Sequence, residues 1–258
     1  MIRIANNLDK FTVLKFCKDT FSWGDYVDKV WDFWLSEGNL FLFEQEKPIG
    51  ICHAFYSKDQ VWIEGIRIDP SFRRQKIASK LINHAESLGK LKNTLFSFML
   101  IDTKNLSSLS MAHSIGYDVS QTWNFYSLDP QRNSNYNIQF EKSLDTQRYP
   151  HYVRSWRWLP ITGITLSQFY KQNKIVRSNT NEKNSIAILT DSEHFDKTLI
   201  VTLFSNSRNS VYEIISFLQN YGIENKYERI QILTKEKLPF FNLLNYRISF
   251  HLMKKSLS

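Results

Sequence analysis

Glycine, proline and cysteine are scarce in this 258-residue chain, with 8, 6 and 2 copies. A sequence so poor in glycine holds neither GxxxxGK[ST] nor GxGxxG, which excludes the common loops that cradle nucleotide phosphates. Cys17 and Cys52 form no CxxC, and no cysteine and histidine cluster has metal spacing. Neither a disulfide framework nor a zinc site is expected; both cysteines read as buried thiols, and no metal is implied. The longest apolar stretches, LFSFML around Phe98 and TLIVTLF around Val201, fall far short of the roughly 20 residues that cross a bilayer. The opening MIRIANNLDKF carries charge and amides where a signal peptide has its apolar run, so it reads as a strand and a helix start, and the expected location is cytoplasmic, with no membrane partner.

What is present points to folded domains. Hydrophobic residues make up 42% of the chain, aromatic ones 15% and charged ones 22%, enough to build cores under a charged surface. The length suggests two domains of similar size. A net charge of +8 favours polyanionic company, whether nucleic acid, an acidic acceptor or a phosphorylated cofactor. No helix-turn-helix, zinc-finger or RNP-like pattern accompanies it, so nucleic acid is not an expected partner.

Along the chain, MIRIA reads as a strand, and Leu8, Phe11, Leu14 and Cys17 lie at helical spacing in a helix ending near Ser22 to Asp25. Val27, Val30, Trp31 and Trp34 give the stripe of a second helix, stopped by Glu37, Gly38 and Asn39. LFLFEQ, IGICHAFY and VWIEGIRID follow as a strand meander. After Pro70, the stripe Ile77, Leu81, Ile82, Ala85 and Leu88 predicts a helix closed by Gly89, then TLFSFMLI a central strand, Asn105 a helix start and YDVSQTWNFYSL a last strand. The order β, α, α, β, β, β, α, β, α, β is that of an α/β mixed sheet with helices packed on it. The polar segment 129–147 is the expected linker between domains 1–128 and 148–258.

Beyond it, VRSWRWLPI, NSIAILT, KTLIVTLF, YERIQILT and RISFHLM read as strands. LSQFYKQN, the stripe Val211, Ile214, Ile215 and Leu218, and LPFFNLLNY read as helices. This order repeats the second half of the first domain, so a diverged duplication is expected. Trp156 and Trp158 are expected on one strand face, packed between the domains.

The chemistry concentrates in WIEGIRIDPSFRRQKIASKLI, residues 62–82. A strand, a proline stop, a basic loop and a helix start together build an anion site, because the first amides of a helix lack intrahelical partners and its dipole is positive there. These residues resemble motif A of the GNAT superfamily of N-acetyltransferases, with Ile68, Asp69 and Pro70 at the strand end and Arg73, Lys76 and Ala78 at the motif positions. Lys76 stands where glycine is usual; a left-handed conformation there would penalise its side chain. A second segment, NLSSLSMAHSIGY, is similar to a further family motif, with Asn105, Ser108, Met111, Gly116 and Tyr117 in register. The resemblance covers about residues 1–128 and implies a GNAT-like acyltransferase fold, with the duplication making a tandem of two related domains.

The resemblance further implies acetyl-CoA as co-substrate and an amine acceptor of unstated identity. Its diphosphate would lie on Arg73, Arg74, Gln75, Lys76, Ile77, Ala78 and Ser79, near Asn105 and Ser108, and its pantetheine arm on backbone around Ile66, Arg67 and Ile68, between two parted strands. Transfer to an amine needs a base, oxyanion donors and an acid for the leaving thiolate. Glu64 fits the base, sharing by alternation a face with Trp62, Ile66 and Ile68 unless a bulge changes the parity; His53 is the next candidate. The tyrosine the family often uses as acid is replaced by Ala112, leaving Tyr117, Tyr126 or water, while His113 points about 100° away. Lys76 and Ala112 motivate an alternative, a catalytically weak or inactive module that senses acyl-CoA. The second domain has no comparable loop, and no coenzyme is expected there.

Overall fold

The computed structural model describes residues 1–18, 20, 24–180 and 183–257. Two compact units divide the chain: Met1–Ser120 with His251–Ser258, and Gln121–Phe250. Where the sequence suggests a linker at 129–147, the chain carries a short strand, Ile138–Phe140, and the division falls earlier, between Ser120 and Gln121. Strand pairing explains the difference, since isolated polar side chains are compatible with a strand at a sheet edge.

In the first unit β1 (Ile2–Ile4), β2 (Leu40–Glu44), β3 (Pro48–Ser57) and β4 (Gln60–Ile68) pair antiparallel in sequence order. β4 then pairs in parallel with β5 (Phe96–Asp102) across α3 (Ile77–Leu91). α1 (Lys10–Cys17) and α2 (Val27–Glu37) cover one face of this sheet. There Val13, Cys17, Val30, Trp31 and Trp34 pack on Leu40, Leu42 and Ile51. α3 and α4 (Leu106–Ser114) cover the other, where Ile77, Leu81, Ile82, Ala85 and Ala112 meet Val61, Ile63, Met99 and Met253.

The α2 stripe is buried as its spacing predicts. The stripe expected for α1 holds only in its second half: Leu14 and Cys17 pack on the core, whereas Leu8 and Phe11 are exposed and Val13 is buried instead. α1 ends at Cys17 rather than near Ser22 to Asp25; Ser22 itself lies outside the described residues. α3 runs through Gly89 to Leu91.

In the second unit β6 (Asp118–Leu128), which enters it at Gln121, β13 (Arg229–Thr234), β12 (Thr198–Phe204), β11 (Ile186–Asp191), β10 (Ile175–Ser178) and β7 (Ile138–Phe140) lie in that order. β12 and β13 are parallel across α6 (Arg208–Glu224), and the remaining neighbours antiparallel. β10, β11, β12, α6 and β13 thus repeat the pairing directions of β2, β3, β4, α3 and β5.

VRSWRWLPI is not one strand but a hairpin, β8 (His151–Arg154) and β9 (Arg157–Pro160). Its turn residues Ser155 and Trp156 have φ of 49° and 66°. Trp156 therefore leaves the strand and packs on Phe125 and Phe250, and Trp158 on Trp123, all within this unit. LSQFYKQN falls on α5 (Gly163–Lys171). LPFFNLLNY forms no helix; its end enters β14 (Leu244–Ser256).

Candidate active site

β4 organises the site through one irregularity. Across Ile51 to His53 the chain of β3 takes two steps, while its partners on β4, Arg67 and Glu64, are three apart. β4 therefore carries an extra residue, a bulge. Gly65 makes it possible: its φ is +64, and a Cβ there would lie 2.3 Å from the Trp34 ring. Val61 and Ile63 face the core beneath α3, and beyond the bulge Ile66 and Ile68 do so too. Glu64 points to the opposite side, toward His53 and α2. The expectation that Glu64 shares a face with Ile66 and Ile68 is corrected, because the bulge reverses the alternation.

On its other edge, β4 pairs with β5 from Gln60↔Phe96 to Ile63↔Met99. Both strands continue, to Ile68 and Asp102, with no mutual pairing among the described residues. The sheet is thus open alongside Glu64 to Ile68. At that opening the Arg67 guanidinium is bidentate to Asp25, at 2.6 and 3.1 Å, and also donates to the Ile66 carbonyl at 3.0 Å. The Arg73 side chain donates to the Ile68 carbonyl at 3.4 Å.

The loop from β4 to α3 begins with Asp69, whose carboxylate accepts the Ser71 amide at 3.0 Å. Arg73, Arg74, Gln75 and Lys76 are exposed, Ile77 is buried, and Ala78 and Ser79 are half-buried. α3 has no side-chain cap, and its first backbone bond is Lys80 N–H to the Lys76 carbonyl, 3.0 Å. Among the described residues, the amides of Arg74 through Ser79 meet no acceptor. Arg74 and Lys76 have φ of 62° and 58°, and alternation with left-handed residues is the setting in which successive amides form an anion-binding concavity. Lys76 thus stands in the left-handed region that glycine would adopt without cost, at about 1–2 kcal/mol for a residue with a Cβ.

His53 is fully buried on β3. Its Nδ1 is 2.9 Å from Glu64 Oε1, its Nε2 is 3.0 Å from the Gly38 carbonyl oxygen, and Glu37 Oε2 is 3.7 Å from Nε2. Glu37, His53 and Glu64 offer possible ligand atoms within 4.8 Å of one another. No sequence spacing revealed this group, since its members come from α2, β3 and β4. Both imidazole nitrogens face oxygen acceptors, and since a neutral ring carries a single N–H, its tautomer decides which of the two bonds it donates.

None of the hydroxyls considered for the acid lies free. Tyr117 is buried, donates to Glu86 Oε1 at 2.7 Å and is hydrogen-bonded to Ser97; Lys255 holds the other Glu86 oxygen at 2.6 Å. Burial, and then the Glu86 charge, raise the Tyr117 phenol well above its usual range. Tyr126 belongs to the second unit, where its oxygen accepts the Leu238 amide at 2.9 Å. His113 Nδ1 is bonded to the Tyr117 carbonyl at 2.9 Å. The exposed Asn105 caps α4 by accepting the Ser108 amide at 3.1 Å. Burial pushes the Cys17 thiol up to about 12 and raises Cys52 as well, so neither is set up as a nucleophile.

In the second unit the corresponding features differ. β12 and β13 are laddered from Thr198↔Arg229 to Leu203↔Thr234. Ser207 and Ser210 close the α6 start in a capping box. Cavities of about 210 and 480 Å³ lie in this unit and share Arg148, Tyr149 and Asn206, with no motif residue among their walls.

Residues 8–117 match the family model described as "Acetyltransferase (GNAT) family". This segment is a GNAT acetyltransferase domain. Among curated proteins no sequence match is found. The chain is similar in fold to a GCN5-related N-acetyltransferase from Sphaerobacter thermophilus, with TM-score 0.65 and 11% identity, over 100% of this chain and 95% of that one. It is also similar to a Thermoplasma acidophilum protein of proposed acetyltransferase activity, with TM-score 0.64 and 14% identity, over 99% of each chain. At such identities the likeness shows the fold, and it extends over both units. No helix among the described residues is long and apolar enough to cross a membrane.

Proposed function

We propose that the GNAT domain is an acetyl-CoA-dependent N-acetyltransferase whose acceptor is an amine. The observation that carries this reading is the conjunction of the opened β4–β5 edge with the acceptor-free amides of Arg74 through Ser79. A diphosphate on those amides gains hydrogen bonds, the positive end of the α3 dipole and the charges of Arg73, Arg74 and Lys76. Backbone groups of Ile66, Arg67 and Ile68 border the opening and are read as the partners of a pantetheine arm, with Asn105 and Ser108 as further cofactor contacts. Bound there, acetyl-CoA supplies an activated thioester carbonyl. Glu64 takes the proton of the attacking amine, and the leaving thiolate is protonated by water. Thiols ionise near 8.5 in their unperturbed form, so such a leaving group departs without an obligate side-chain acid.

The second unit is read as a diverged GNAT-like copy that takes no part in acyl transfer, since its parallel strands stay laddered and its helix start is capped by its own serines. One observation favours a second reading, an acyl-CoA-sensing module: Ala112 lacks a hydroxyl, and Tyr117 is committed to Glu86. Release of free thiol from acetyl-CoA, followed against peptides, polyamines and small amines, separates the two. The transferase reading predicts acceptor-dependent release. Saturable coenzyme binding with no release across the panel would favour the sensor.

A further inference from the structure

A role for His53 follows from reading Glu64 as the base, and rests on that reading. Its ring sits directly opposite Glu64 in the β3–β4 register. Its Nδ1 faces Glu64 Oε1 at 2.9 Å and its Nε2 the Gly38 carbonyl oxygen at 3.0 Å, so the neutral ring donates to one or the other. One face stacks on the Trp34 indole, with centroids 5.1 Å apart and planes inclined by 8°. Trp34 in turn abuts the Gly65 bulge that directly follows Glu64. Burying an imidazole among apolar side chains costs more than burying leucine unless its nitrogens are bonded. A packing role alone therefore does not account for it, whereas a fixed donor beside a carboxylate does.

We propose that His53 is the positioning residue for Glu64, its Nδ1–H fixing the carboxylate in the orientation and ionised form that accept the amine proton. A donor held on one oxygen favours the carboxylate form, keeping Glu64 able to accept a proton in neutral solution. The other ionisable groups around this pair are Glu37 at the end of α2, Asp25 and Tyr26 before it, Arg67 on β4 and Cys52 on β3. Their charges stay in place when His53 is changed, so a change in the pH profile reports the His53 bond.

The test compares kcat against pH for His53→Asn, His53→Gln and Glu64→Gln, with acetyl-CoA binding measured on each. The asparagine amide places a donor near the Nδ1 position and the glutamine amide near Nε2, so only His53→Asn keeps the bond to Glu64. His53→Asn is expected to stay within about fivefold of wild type. His53→Gln should lose about 10- to 100-fold in kcat. Its acid limb should move up by about one pH unit, with the KM for acetyl-CoA unchanged.

Equal losses in both His53 variants with an unmoved acid limb would overturn the proposal in favour of packing. Full activity in Glu64→Gln would remove the base reading itself. Loss in Glu64→Gln with a wild-type His53→Gln would sink only the positioning role. The wild-type ¹⁵N-imidazole spectrum gives a check that does not depend on variants folding: a protonated Nδ1 at neutral pH is expected, and a bare Nδ1 contradicts the proposal.

Discussion

Arg3 shows how much one side chain can organise on a short edge strand. Its guanidinium donates to Asp9 at 2.6 and 2.8 Å and to both oxygens of Glu44 at 2.8 Å, tying the start of the chain to the end of β2. Asp9 also accepts the Asn6 amide at 2.8 Å. The Arg3 bonds, foremost, hold the Asp9 carboxyl below its usual range. A carboxyl whose folded pKa is depressed contributes stability that is complete above its unfolded value, near 3.9, and is lost as pH falls through the folded one. Arg3→Met should therefore lower Tm at pH 7, and its Tm difference from wild type should shrink below about pH 4. A difference independent of pH would contradict this.

Lys76 carries the other prediction at this scale. Lys76→Gly removes a left-handed penalty but adds unfolded-state entropy, so stability should stay level or rise by about 1 kcal/mol in denaturant unfolding. A fall of that size would mean that the lysine side chain holds the loop.

Among the elements, the β4 bulge decides the site. Gly65→Ala places a Cβ against the rigid Trp34 ring in a backbone region that disfavours it. A loss of about 1–3 kcal/mol in chemical denaturation is expected, and near-neutral stability would argue against the bulge.

Elements with strong periodicity are legible from the sequence: the α2 stripe, the β2–β3–β4 meander and α3 all stand where their patterns put them. Legibility fails where competition between burial partners decides. In α1, Leu8 and Phe11 fit the stripe of Leu14 and Cys17, yet both are exposed and Val13 takes the buried side with Cys17. β7 and β10, of 3 and 4 residues, are too short for a period to register. LPFFNLLNY is a short apolar run that periodicity cannot assign to helix or strand. At the site, the loop motif names the acceptor-free amides, and Glu64 and His53 are both candidates by residue type. The bulge has a trace in the sequence, a glycine inside a strand pattern. The Glu37 and Trp34 partners of His53 have none, because tertiary packing alone gathers them.

At the scale of the whole chain, β14 begins in the second unit and ends in the first. Met253 and Leu257 are buried in the α3-side core, Lys255 pairs with Glu86, and the Leu257 amide donates to the Leu95 carbonyl at 2.8 Å. No local pattern announces so distant a return. A chain ending at Phe250 loses two core side chains worth about 2–5 kcal/mol each. Limited proteolysis should then cut first within residues 1–120, and protection equal to wild type would contradict the division.

Under the proposed function the amides before α3 hold a diphosphate beside an opened strand edge. Titrating coenzyme A into ¹⁵N-labelled protein, with amide shifts followed by residue, tests it most directly. Saturable shifts are expected, largest at Arg74 through Ser79, with a second group at Glu64 through Ile68. Coenzyme A binding that leaves those amides unmoved, or no binding at all, would contradict it.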